Sequence, residues 1–196
     1  DEKDLPGVSF VPMKLREGDD ASCLNLNRAQ RPRILAVNPT LMTERKAFAF
    51  AKLDKSVSSD TPWEALRSSA DGDDAIPAIA DNASIMWARG KSVGDILEYP
   101  DLDERGQPVR FRLVGGLANS ILQGSLLIDE ENFARRFPTE SGYRYFLMDV
   151  PADGLTNVTA TLSRAFRDNG LELTPTTRRL AQFNAVQNTY LGTFQI

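Results

Sequence analysis

The stretch "GQPVRFRLVGGLANSILQGSLLIDEENFARRFP", residues 106–138, decides the fold. Its first part has period two. Val109, Phe111 and Leu113 alternate with Arg110 and Arg112, the pattern of a half-buried strand. Its last part changes character. The apolar run Leu126–Ile128 reads as a short strand that passes directly into a helix at Asp129. Asp129 is placed to cap that helix, and Glu130 and Glu131 fall in its first turn, where the macrodipole favours acids. Pro138 ends it. Between the two parts, Gly115-Gly116 marks a bulge or a close backbone crossing at a strand end.

Working toward the C-terminus, "GYRYFLMDV" (142–150) alternates as another strand. Residues 153–170 form an amphipathic helix with Leu155, Val158, Leu162 and Phe166 on one stripe, closed by Asn169-Gly170. "LELTP" (171–175) reads as a last short strand. Toward the N-terminus, residues 8–15 read as a strand in which Pro12 signals an edge or a bulge. Residues 31–37 form a short apolar strand. The spacing predicts a helix within 38–53, with Thr40 as cap, Glu44 in the first turn, and Leu41, Phe48 and Ala51 on one face. A second short helix covers 61–69, capped by Thr61, with Pro62 first and Trp63 and Leu66 turned inward. Residues 70–82 are a turn followed by an apolar stretch, and 90–99 lead through a polar turn at Gly106 into the deciding strand. Crossovers of such irregular length predict an α+β fold, a mixed sheet with helices packed on it, rather than a regular doubly wound sheet. Two lobes are expected, a base of about 1–35 plus 108–196 and an inserted lobe of about 36–107.

Composition removes several functions. The 196 residues carry 23 basic and 27 acidic side chains and a net charge of −4, so neither nucleic acid nor a basic membrane-surface patch is expected. There is no histidine, hence no Ser-His-Asp triad, no Cys-His pair and no His-ligated metal. The single cysteine, Cys23, reads as a small buried apolar residue without a base to activate it. No stretch approaches the roughly 20 apolar residues that span a bilayer. "GDD" (18–20) and "DGDD" (71–74) are oxygen-rich but miss the EF-hand spacing and read as solvated turns. No dinucleotide or phosphate-loop glycine motif occurs. No catalytic, cofactor or metal residue is predicted, and no cofactor.

The terminal helix is the unusual feature. Leu180, Phe183, Val186, Tyr190, Leu191 and Phe194 fall on one broad side, and charge stops at Arg179. It reads either as a helix packed on the sheet or as the lead-in to a transmembrane helix. Trp63 and Trp87 are read as core, with Trp87 the candidate for a partner contact.

Several stretches, in order, resemble the extracytoplasmic domains of MacB/FtsX-type ABC transporter permeases. "SVGDILEY" (92–99) with "GQPVRFRLVGGL" (106–117) is similar to their Gly-Asp turn and following strand, and "GSLLIDEENFARRFP" (124–138) to the strand-helix that comes next. "RLAQFNAVQNTYLGTFQ" (179–195) resembles the segment before their next transmembrane helix. "GDDASCLNLN" (18–27) and "PRILAVNP" (32–39) resemble one branch of large permeases. The likeness runs from about Gly18 to Gln195 and is weakest over 54–80. It implies a MacB-like α+β domain on the periplasmic or extracellular side of the bacterial inner membrane, joined to it by flanking helices. ATP hydrolysis would belong to a separate ABC ATPase subunit or domain, and an envelope protein would be a possible partner. The domain would not be an enzyme. It would couple ATP hydrolysis to export or to mechanical signalling, with Leu180 to Phe194 as the transmitting element. Two other readings are a stand-alone periplasmic or cell-surface ligand-binding module and a carboxylate-dependent hydrolase, the latter requiring two acids that converge in a cleft.

Overall fold

A computed structural model of the chain describes residues 5–18, 31–67, 74–85, 90–100 and 106–193. The two stretches read as solvated turns, the end of the chain from Phe194, Cys23 and Trp87 lie wholly or mostly outside them.

The deciding stretch folds as read. Val109–Leu117 is a strand, and Ser125–Asp129 is a strand that runs straight into a helix, Glu130–Arg136. In chain order the strands are β1 (Ser9–Arg16), β2 (Arg33–Val37), β3 (Phe50–Leu53), β4 (Ile76–Asp81), β5 (Ile96–Tyr99), β6 (Val109–Leu117), β7 (Ser125–Asp129) and β8 (Tyr145–Asp149). The helices are α1 (Pro39–Arg45), α2 (Glu130–Arg136), α3 (Leu155–Ala165) and α4 (Thr176–Thr193). The strands form one sheet in the order β3-β6-β4-β7-β2-β1-β8, with β5 also on β6. Parallel pairs (β4 with β6, β2 with β7) and antiparallel pairs (β1 with β2, β4 with β7, β3 and β5 with β6) coexist. The fold is α+β with a mixed sheet.

The centre of the sheet is buried on both faces, so β4 and β7 are apolar without alternation of burial. On one face Ile34, Ala36, Ala78, Ala80, Leu126 and Ile128 pack with Phe133 from α2, with Phe137 just past its end, and with Leu97 and Phe111. Alternation sends Leu35, Val37, Ile79 and Leu127 to the other face, which is where buried Met42, Trp63 and Leu66 complete the core. Trp63 lies in a 3-10 turn, Pro62–Leu66, and meets Phe48 and Phe50 edge-on at 5.9 and 5.3 Å between centroids.

Two prolines inside strands are accommodated by where pairing stops. Pro77 pairs alongside Arg112 of β6, whereas β4 pairs with β7 only at Ile79 and Ala80. Pro12 lies on an interior strand, not on an edge. Lys14 stands opposite Ala36, so Pro12 falls opposite Asn38, one residue beyond the end of β2. Its missing N–H is therefore at a point where the partner strand has already ended.

A bulge lies beside Gly115-Gly116, and side chains rather than a crossing backbone press on both glycines. The β4–β6 register jumps between Ala78 (opposite Leu113) and Ile79 (opposite Gly115), a bulge at Val114. A Cβ on Gly115 would lie 3.0 Å from the Phe50 ring, and one on Gly116 2.9 Å from the Asn82 side chain.

Several local readings need correction. The helix predicted within 38–53 stops at Arg45, where Lys46 turns to positive φ, and Phe50–Leu53 is a strand paired with β6. Its cap is Asn38, whose Oδ1 accepts from the N–H groups of Thr40 and Leu41, rather than Thr40. Thr61 precedes the 3-10 turn at Pro62–Leu66 without a side-chain capping bond. Residues 171–175 form no strand. On α3 only Val158 and Leu162 of the predicted stripe are buried; Leu155 is 52% exposed and Phe166, just past the helix, 45% exposed.

The chain divides into two compact units, Pro12–Tyr145 and Asp1–Val11 with Phe146–Ile196. Strands β3, β4 and β5 from the 36–107 stretch share a sheet with β6 and β7. Within the larger unit Glu140 accepts from Arg16 (3.3 Å) and Arg144 (2.8 Å), Arg144 also donates to the Leu15 carbonyl, and the Arg16 guanidinium lies 4.6 Å from the centre of the Phe137 ring.

Candidate functional site

The side chains the sequence singled out are dispersed. Leu180 and Phe183 are half-buried on α4, and Arg179 lies 4.8 Å over the Phe183 ring. Val186, Tyr190 and Leu191 belong to the same helix. Phe194 and Trp87 lie outside the described residues. No described helix is long and apolar enough to cross a membrane.

Asp129 and Glu130 end β7 and begin α2 as read. The Asp129 carboxylate accepts from the Glu131 N–H at 3.1 Å, a helix cap. Burial pushes the Asp129 carboxyl above the usual aspartate range, opposed by that bond, with the Glu131 charge adding to the rise and Arg67 opposing it. Burial raises Glu130 as well, opposed by Lys14. Asn132 and Arg67 tie this end of the sheet together. The Asn132 amide donates to the Leu66 carbonyl at 3.2 Å, and Arg67 donates to the Thr40 hydroxyl and to Glu64, both at 2.8 Å.

A second buried carboxylate, Asp81, was missed from sequence. It is 2% exposed at the end of β4 and accepts three backbone N–H bonds. Ala83 (3.0 Å) and Ser84 (3.2 Å) donate to one oxygen, and Ser120 (3.3 Å) to the other. The Ser84 hydroxyl accepts from Gly124 at 3.2 Å and the Ser120 hydroxyl from Leu122 at 3.0 Å. Asp81 thus clamps the β6–β7 connection to the turn after β4. Burial raises its pKa, opposed by the three N–H bonds. The available signal was local: an aspartate ending an apolar run with serine three residues on, the pattern of a side chain that bonds its own following backbone.

The two clamped carboxylates do not form a hydrolase pair. Ala80 stands opposite Leu126, which puts Asp81 beside the start of β7, while Asp129 ends that strand. Four residues of strand separate them, about 13 Å, beyond the roughly 5–9.5 Å that paired-carboxylate hydrolysis uses. Among the described residues no group of three or more His, Cys, Asp and Glu could hold a metal ion. What the arrangement does chemically is fix two backbone connections.

No family model and no curated protein matches the chain. Among solved structures it is similar to the extracellular domain of the noncanonic ABC-type transporter YknZ from Gram-positive bacteria, with 16% identity and a TM-score of 0.44 over 85% of this chain and 79% of that one. It is also similar to the periplasmic region of MacB from Actinobacillus actinomycetemcomitans, with 10% identity and a TM-score of 0.40 over 80% of this chain and 66% of that one.

Proposed function

We propose that this chain is an extracytoplasmic domain of a MacB/FtsX-type ABC transporter permease in the bacterial inner membrane. It transmits movement driven by cytoplasmic ATP hydrolysis and performs no catalysis of its own. Its ATPase is a separate subunit or domain reached through transmembrane helices, and an envelope protein or an exported molecule contacts the domain outside the membrane.

One observation carries the reading. The first and last segments of the chain, Asp1–Val11 and Phe146–Ile196, belong to one compact unit, and that unit contains the 18-residue helix α4. A lever moved by two membrane-rooted segments needs both roots in one body, with a stiff element to carry the displacement. An 18-residue helix supplies about 27 Å of such an element. The order of the sequence motifs supports the same assignment. Work is done only to the extent that a partner contacts the two states differently.

The test breaks α4 in the intact membrane protein. Inserting a flexible Gly-Ser-Gly after Leu180 is expected to leave basal ATP hydrolysis within about twofold and to abolish export or signalling output. Unchanged output would overturn the lever, and ATP hydrolysis by the isolated 196-residue chain would overturn the non-catalytic assignment.

A further inference from the structure

We propose that Asn169-Gly170 is a site of spontaneous modification, where the asparagine converts through a cyclic imide to aspartate and isoaspartate. The proposal is independent of the transporter reading. The chemistry needs the backbone nitrogen of the next residue to reach the asparagine Cγ. A side chain on that next residue obstructs the approach, and glycine supplies both the room and the backbone freedom. Gly170 stands at φ 67°, and a Cβ there would meet nothing within 4 Å. Asn169 ends a 3-10 turn, Arg167–Asn169, whose bond to the Phe166 carbonyl comes from the Asn169 N–H at 3.0 Å. Every residue from Ser163 to Glu172 is exposed, and 171–175 form no regular element. Opening this stretch disturbs no core.

The structure separates this pair from comparable ones, in which the attacking nitrogen is held. The Ala83 N–H after Asn82 and the Ser120 N–H after Asn119 both donate to the buried Asp81 carboxylate, at 3.0 and 3.3 Å. The Gly154 N–H after Asp153 donates to the Pro151 carbonyl at 2.9 Å. Asn184-Ala185 lies inside α4, where the backbone N–H belongs to the helix ladder.

Hydroxide removes the Gly170 amide proton. The nitrogen bonds to Cγ of Asn169 as the Cγ–Nδ2 bond breaks, and Nδ2 leaves as ammonia with a proton from water. Water then opens the imide. Opening at Cγ leaves aspartate. Opening at the backbone carbonyl leaves isoaspartate, with the main chain running through Cγ and one CH2 longer between the 3-10 turn and the segment leading to α4. Either product adds a negative charge between Asp168 and Glu172.

Ageing the folded 196-residue chain in mildly alkaline buffer, followed by peptide mapping with mass spectrometry, tests this. Asn169 is expected to convert before any other asparagine, giving a mixture whose isoaspartate is a substrate for an isoaspartyl methyltransferase. Its rate should lie within about threefold of that in the guanidinium-unfolded chain, whereas folding should slow Asn119 at least about tenfold. The rate should rise with hydroxide concentration. Asn169→Gln, which keeps the amide and its exposure, should abolish the modification. Folding that protects Asn169 as strongly as Asn119 overturns the proposal. So does a product without isoaspartate, or a rate that does not respond to pH.

Discussion

The two units of this chain treat apolar residues in opposite ways. In Pro12–Tyr145 the strands β4 and β7 bury every residue, and Phe111, Phe133 and Phe137 are wholly enclosed. In the unit formed by the two ends of the chain, Phe10, Phe146, Leu155, Phe166 and Leu171 are exposed, and α3 buries only Val158 and Leu162. The larger unit has the enclosed core of a self-sufficient body. The terminal unit presents apolar side chains outward.

Core substitutions should separate the units most. Phe133→Ala is expected to lower the unfolding free energy by about 3–5 kcal/mol in urea titration, because nothing around a wholly buried ring can collapse into its space. Phe166→Ala should change it by less than about 0.5 kcal/mol. Equal losses would show that the contrast in exposure has no energetic counterpart.

The next effect is at the clamp. Asp81→Ala strands three buried N–H donors and should cost about 2–4 kcal/mol in the same titration. Asp81→Asn keeps one acceptor oxygen and should cost less. Its pH dependence sharpens the point. Burial holds the folded pKa of Asp81 above its unfolded value, so the folded state binds the proton more tightly. That contribution to stability is present at acid pH and lost as pH rises through the folded value. The stability of the natural chain relative to Asp81→Asn should therefore increase as pH falls from neutral toward the ordinary aspartate range. A flat difference would mean that burial does not penalise the charge.

The effect at the cap is smaller than at the clamp. Asp129→Ala should cost about 1 kcal/mol through loss of the bond to the Glu131 N–H. Burial also raises Asp129, so part of that loss should be recovered by removing a buried charge at neutral pH.

Sequence was most informative where the local pattern and the sheet agreed. Strand β6 and the β7–α2 junction were legible because alternation, the Asp129 cap and Pro138 all point the same way. So was the crowding at Gly115-Gly116. Strand β3 was not legible. Its residues also fit a helix face, and pairing with β6 settles the matter through partners more than 60 residues away. Thr40 and Asn38 are both good caps, and the choice depends on where β2 ends. Strand β4 read only as an apolar stretch, since burial on both faces erases alternation. Asp81 was invisible as a clamp because one of its partners, Ser120, lies 39 residues along the chain. The exposure of Leu155 and Phe166 likewise depends on which neighbours arrive, something helical periodicity does not encode.

The most direct measurement of the central claim is the side of the membrane on which the domain lies. Ser58 is exposed, so Ser58→Cys in an intact permease from which every other cysteine has been removed gives one accessible thiol. A membrane-impermeant maleimide applied to intact spheroplasts should label it fully, with no further gain on permeabilisation. Labelling only after the membrane is opened would place the domain on the cytoplasmic side and contradict the account.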